Sequence, residues 1–463
     1  MTDQTIEADY LIIGTGATGM AFADTLVAES QSTIIMVDRH PNPGGHWNDA
    51  YPFVRLHQPS AYYGVNSWPL GTGAKDEMGL NSGYFKLASG PEVLTHFDQV
   101  MQHRLLPSSR VQYFPMSEVN EDGSFTSLLS GQRRTVKAGK LVDARYLEPS
   151  VPSTRPPQYD VASNVVCVPP NGLPRIAPLH SDFVVIGAGK TGMDTCIWLL
   201  ENGAEPDQIT WVMSRDYWML NRGQYQPGGE FLPRNAANMA NQVQAFAEGF
   251  SVDDTMIRLE ALGEVFRIDP ARVPTGIHGA NISEAELRRL RSIRRIVRLG
   301  RVIQLEQSRI VLQQGTVPTE HGCLHVDCTA SAIHDEPLKP VFAGDKITLQ
   351  WVRQWQPVFS AAFIGHVEAA YTDESEKNRI CAPVLVPHTS RDWLQMMSGE
   401  LVNRQCWAEN QEIGDWLVAS RVDFFTRELR RLNGTEREVI GHLERYAKFV
   451  GPALANLPSL LAL

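Results

Sequence analysis

The chain has 463 residues, 43% hydrophobic and 20% charged, the composition of an ordinary globular protein long enough for two or three domains. Its net charge of −10 argues against a general nucleic-acid binder, which carries a basic surface. No apolar run reaches membrane-spanning length, and the opening MTDQTIEADY has no charged-then-apolar leader, so no membrane association and a cytoplasmic setting are expected.

Residues 8–14 (ADYLIIG) read as a buried strand, because Leu11, Ile12 and Ile13 are apolar on both faces. Residues 17–29 place Met20, Ala21, Ala23, Leu26 and Val27 at helical spacing, and 33–38 (TIIMVD) is a second strand-like run. Between them stand Gly14, Gly16 and Gly19, spaced G-x-G-x-x-G. From Asn42 to Gly90 the chain is rich in Gly, Pro, Asn and Tyr with little periodicity, which in a compact domain marks a functional region more often than idle loop. A helix is expected over 92–105 and short strands over 110–145. Proline-laden stretches at 147–160 and 168–179 read as linkers at a domain boundary.

A second unit of the same shape follows at 182–215, with Gly187, Gly189 and Gly192 in the turn. Residues 232–300 are mostly helical by pattern, with Ser283 and Glu286 spaced as a capping box. Seven arginines between Arg288 and Arg301 read first as the solvated face of an amphipathic helix, with a nucleotide-phosphate or partner contact as the alternative. Strands are expected at 301–314 and 324–330. Cys323 and Cys328, in CLHVDCTA (323–330), are expected as buried strand cysteines or a redox pair; six scattered cysteines otherwise suggest free thiols and no metal site. The segment 356–371 is expected to return to the first domain, and the end of the chain is helical.

Each glycine unit has a chemical reason. A strand turning sharply into a helix leaves amide donors at the positive end of the helix dipole, where a diphosphate binds if the backbone around it lacks side chains. Asp38, with Arg39 beside it, ends the second strand of the first unit, placed to accept from ribose hydroxyls and to repel a 2′-phosphate. That suits FAD or NAD. The matching place in the second unit is Ser214 and Arg215, a hydroxyl and a guanidinium suited to the 2′-phosphate of NADPH, although Asp216 follows directly. The expected fold is α/β with two Rossmann-like dinucleotide-binding domains. The first takes 1–160 and 320–390, the second 161–319 with a helical insertion at 232–300, and a mostly helical segment fills 391–463.

The paired units, Gly44-Gly45-His46-Trp47 and YPFVRLHQPSAYYGVNS (51–67) resemble the two-dinucleotide-domain flavoprotein monooxygenases: flavin-containing monooxygenases, N-hydroxylases and Baeyer–Villiger monooxygenases. LVDARY (141–146) and HVDCTA (325–330) resemble the strands where that family crosses between domains. The resemblance implies that Gly45, His46 and Trp47 line FAD and that Tyr51, Pro52 and Arg55 run beside its ring. His57 stands where Baeyer–Villiger enzymes carry an aspartate, and the family's F-x-G-x-x-x-H fingerprint is absent before the second unit. It implies NADPH reducing FAD, and O2 acting through a C4a-(hydro)peroxyflavin on a small organic substrate. His57, Arg55 and Gln58 are the catalytic candidates, Asn66 is a further polar contact, and Tyr62, Tyr63 and Trp68 are cavity walls or core. A flavin oxidase, dehydrogenase or reductase on the same fold is the alternative, and a nucleotide-binding sensor without turnover a third. A homo-oligomer stays open.

Overall fold

The computed structural model describes residues 4–147, 149–330, 336–423 and 425–462. Its first unit is β1 (Gln4–Ile13), α1 (Ala17–Glu29) and β2 (Ile34–Val37), with β1 and β2 parallel from Tyr10 beside Ile34 to Ile13 beside Val37. All four residues of β2 are buried, as a strand covered on both faces requires. The sheet runs Phe342–Ala343, Lys346–Thr348, Arg133–Asp143, β1, β2, Val111–Phe114, and the pair Ser117–Val119 and Phe125–Ser127 joins at one side.

The second unit repeats the pattern with β3 (Phe183–Ile186), α2 (Lys190–Glu201) and β4 (Ile209–Val212). Its five-stranded sheet is parallel throughout, ordered Arg295–Val297, β4, β3, Leu324–Asp327, Cys167–Val168. The helix α3 (Pro357–Ala370) packs on α1, its Gly365 lying against the Phe22 carbonyl, so this segment does return to the first domain. A third body combines the strand Tyr217–Asn221 and the helix Leu232–Glu248 with the C-terminal helices Ser390–Ala408 and Arg437–Ala462 around Trp218, Phe246, Trp393 and Leu457. Among the described residues no helix is long and apolar enough to cross a membrane.

Three expectations need correction. The insertion at 232–300 is not wholly helical: Gly276–Ile282 is a strand pairing with Tyr217–Asn221. The arginine-rich run is not one helix. It is helical only over Glu284–Leu290, and Arg295–Val297 then becomes an edge strand, where the β-branched Ile296 and Val297 fit a pleat better than a helix. Its arginines are stitches: Arg289 donates to the Leu200 carbonyl at 2.7 Å and Arg291 to that of Ile268 at 3.0 Å. Finally, Leu324–Asp327 belongs to the second sheet, so the first domain resumes later than residue 320. The capping box at Ser283 and Glu286 forms as expected. Cys323 and Cys328 are free and buried at opposite ends of one strand, which is the buried-strand reading.

Candidate functional site

The two glycine turns share one geometry. A Cβ on Gly19 would lie 2.0 Å from the Gly14 carbonyl oxygen, and one on Gly192 would lie 2.1 Å from that of Gly187, so each helix sits directly on its own turn. What lies in front of them differs. Gly189 faces open space: a Cβ there would meet nothing within 4 Å. Gly16 is met by Gly45, whose own Cβ would come 2.9 Å from the Gly16 Cα, and Gly44 N–H donates to the Thr15 carbonyl at 2.8 Å. The helical turn Gly45–Asp49 thus begins beside the start of α1, and neither N-terminus has a side-chain cap. Two sets of uncapped amides beside a side-chain-free contact suit an anionic diphosphate.

Asp38 does not present a free carboxylate to a ribose. It is 6% exposed, and its two oxygens accept from Thr15 N (2.5 Å), Thr15 Oγ1 (2.9 Å), His40 N (2.8 Å) and His40 Nδ1 (3.0 Å). A carboxylate has about four acceptor positions, so Asp38 is committed to shaping the turn. Arg39 beside it is exposed. His40 also reaches Asp49 at 2.9 Å, tying the end of β2 to the Gly45–Asp49 turn.

These contacts give stability a pH dependence. The hydrogen bond to Asp38 raises the His40 pKa above its ordinary 6.5, burial opposes this, and Asp49 adds to the rise. Burial pushes Asp38 up, but bonds from His40 and Thr15 outweigh it and hold the carboxyl below 3.8. A raised imidazole stabilises fully below its unfolded pKa and loses that contribution as pH rises through the folded value; a depressed carboxyl stabilises above its unfolded pKa and loses it as pH falls. The contribution is therefore greatest between the two ordinary values. His40→Asn should lower Tm more at about pH 5.5 than at about pH 8.5; equal losses at both would show that the imidazolium plays no part.

A cavity of about 810 Å³ opens from the second turn. Gly187, Gly189, Ser214 and Arg215 line it, as do His46, Trp47, Arg55, His57 and Gln58. Gly14, Gly16, Gly19, Asp38, Arg39 and Gly45 are not among its lining residues, and Gly192 lies beneath its turn. The three catalytic candidates all line this cavity. Burial lowers the His57 pKa well below 6.5, with Lys190 and Arg222 adding, so its imidazole is neutral. Burial likewise holds His46 down to about 4. Trp47 donates to the Tyr63 hydroxyl at 2.8 Å. Tyr62 and Tyr63 line the cavity, whereas Trp68, partly buried, packs against the core of the first unit. Asn66 serves the fold, its Oδ1 accepting from Arg421 N at 2.8 Å and Ser420 Oγ at 3.0 Å.

At the far end of β4, Asp216 is removed as a competitor: Arg298 holds it through two nitrogens at 2.9–3.2 Å. Arg215 lies 5.5 Å from the centre of the Tyr217 ring, and Arg301 joins the same cavity wall. Arg301 comes from the arginine run. Sequence reasoning missed Arg222. Fully buried, it pairs with Glu286 (2.6 Å) and donates to the carbonyls of Asn281 (2.9 Å) and His57 (3.0 Å) and to Asn81 Oδ1 (3.2 Å). It joins the irregular 42–90 segment to the insertion, and nothing local in the sequence marks it.

No family model matches the chain. It is 46% identical over 458 residues to the uncharacterized protein Rv2000 of Mycobacterium tuberculosis, covering 99% of this chain and 85% of that protein. The same figures hold for the uncharacterized protein Mb2023 of Mycobacterium bovis. Among solved structures, the open crystal structure of cyclohexanone monooxygenase superposes with a TM-score of 0.51 at 15% identity, covering 87% of this chain and 98% of that one. The chain therefore belongs to one family with the mycobacterial protein Rv2000, and its fold is that of the two-dinucleotide-domain flavoprotein monooxygenases.

Proposed function

We propose that the protein is an FAD- and NADPH-dependent oxidoreductase, a monooxygenase that acts with O2 on a small organic substrate. One observation carries this reading. One cavity is lined both by the open second glycine turn and by residues of the 46–58 segment that follows Gly45, so groups held by the two units would share it. The second turn, with Ser214 and Arg215, suits NADPH. The paired amide ends at Gly16 and Gly45 fit the diphosphate of FAD, with Trp47 flanking the ring. Bound flavin supplies hydride acceptance and oxygen activation.

The chain's own residues orient and shield. Neutral His57 can donate one hydrogen bond and accept another without bringing charge into the cavity. Arg55 brings a positive charge to the mouth of the same wall, suited to negative charge developing on oxygen. Gln58 offers an amide to the ring or substrate, and Tyr62 and Tyr63 close the cavity against water. The test is to denature the purified protein and chromatograph what it releases. FAD in rough proportion to the chain is expected; a colourless protein that takes up no added FAD overturns the reading.

A further inference from the structure

We propose that Lys190 is the cation that receives the dinucleotide diphosphate at the second glycine turn, and that Asp194 and Tyr51 are the positioning residues that hold it there. The proposal rests on reading that turn as the NADPH site. Lys190 is the first residue of α2; the N-cap, Gly189, has no side chain, and the first helical turn contains no acidic residue. The N-terminus of a helix is its positive end, so a lysine there has the unfavourable sign. Its side chain is also only 10% exposed, so the charge sits largely out of water.

The turn itself does not require this residue. In the first unit the matching position is Ala17, and the same backbone geometry forms around it. The structure compensates the charge in part. Asp194, one helical turn on, forms an ion pair with Lys190. That carboxylate is shared, because its other oxygen accepts from the Tyr51 hydroxyl at 2.7 Å. One carboxylate therefore faces an ammonium and a set of free amides, and the place stays electropositive. Lys190 and Thr191 line the cavity, and in front of Gly189 the space is open. A doubly negative diphosphate completes the balance.

Tyr51 reaches Asp194 from the first domain's irregular segment, and Phe53 stacks on Trp198 of α2 at 5.3 Å, so the segment is docked along the helix at two points. Tyr51 acts through Asp194: it fixes the carboxylate, and the carboxylate aims the ammonium.

The experiment is equilibrium binding of NADPH and of NADH, followed by intrinsic fluorescence, with inorganic pyrophosphate as competitor. Lys190→Met should weaken both nucleotides by about 10- to 100-fold, the range for losing a charge-assisted bond, and weaken pyrophosphate competition. Lys190→Arg should restore most of the affinity, and Lys190→Ala guards against a folding defect because Ala17 occupies the matching place. Tyr51→Phe should cost about 3-fold in the native background and nothing in the Lys190→Met background, since the two act as a unit. Native affinity for both nucleotides in Lys190→Met overturns the role of Lys190, and an undiminished Tyr51→Phe effect in that background overturns the positioning role. A native protein that binds neither nucleotide is a different failure: it removes the NADPH reading itself.

Discussion

Arg215→Ala should raise the dissociation constant for NADPH by about 10- to 100-fold and leave that for NADH within about 2-fold. The two nucleotides differ only in the 2′-phosphate, and the end of β4 is where that group falls in a Rossmann-like unit. Ser214 and Arg215 stand there on the cavity wall, with Arg301 on the same wall. The neighbouring carboxylate, Asp216, would repel a phosphate, but Arg298 grips it through two nitrogens. The guanidinium of Arg215 rests against Tyr217, which limits the conformations it loses on binding. Titration with each nucleotide measures the effect. Equal losses for both would refute the 2′-phosphate assignment, and would make Arg215 resemble the expected behaviour of Lys190, which serves a group the two nucleotides share.

Arg222→Met should lower folding stability by about 3–5 kcal/mol, the usual consequence of removing one partner from a buried ion pair. Arg222 is fully buried and satisfies four partners at once, two of them carbonyl oxygens from different parts of the chain. Its loss strands Glu286, which also receives the Ser283 N–H in the capping box. Methionine keeps much of the volume, so the loss is electrostatic rather than a cavity effect. Urea denaturation reads it directly. The double variant Arg222→Met, Glu286→Gln should recover part of the loss, because no charge is then left buried. A single-variant loss below about 1 kcal/mol would show that the stitch is dispensable.

Much of the fold is legible because a dinucleotide turn is a local object. Gly14 to Gly19 and Gly187 to Gly192 carry their geometry in a few consecutive residues, and the strand residues that lead into them, Leu11, Ile12 and Ile13 in the first and Phe183–Ile186 in the second, are apolar and buried. The misreadings fall where a partner is distant. Gly276–Ile282 looks irregular or helical alone and becomes a strand only beside Tyr217–Asn221. Asp38 lies where a ribose acceptor is expected, but Thr15 and His40 take its lone pairs, and only three-dimensional structure shows that. Arg222 and Tyr51 act across the domain seam and leave no pattern. Lys190 did leave one: comparing the two glycine turns residue by residue sets it against Ala17, and Asp194 follows at helical spacing.

The measurement that bears most directly on the shared cavity is rapid mixing of the flavin-loaded protein with NADPH under nitrogen. Bleaching of the flavin absorption is expected, faster with NADPH than with NADH at equal subsaturating concentration, with colour returning when air is readmitted. A bound flavin that stays oxidised in excess NADPH would contradict a cavity in which the two dinucleotides meet.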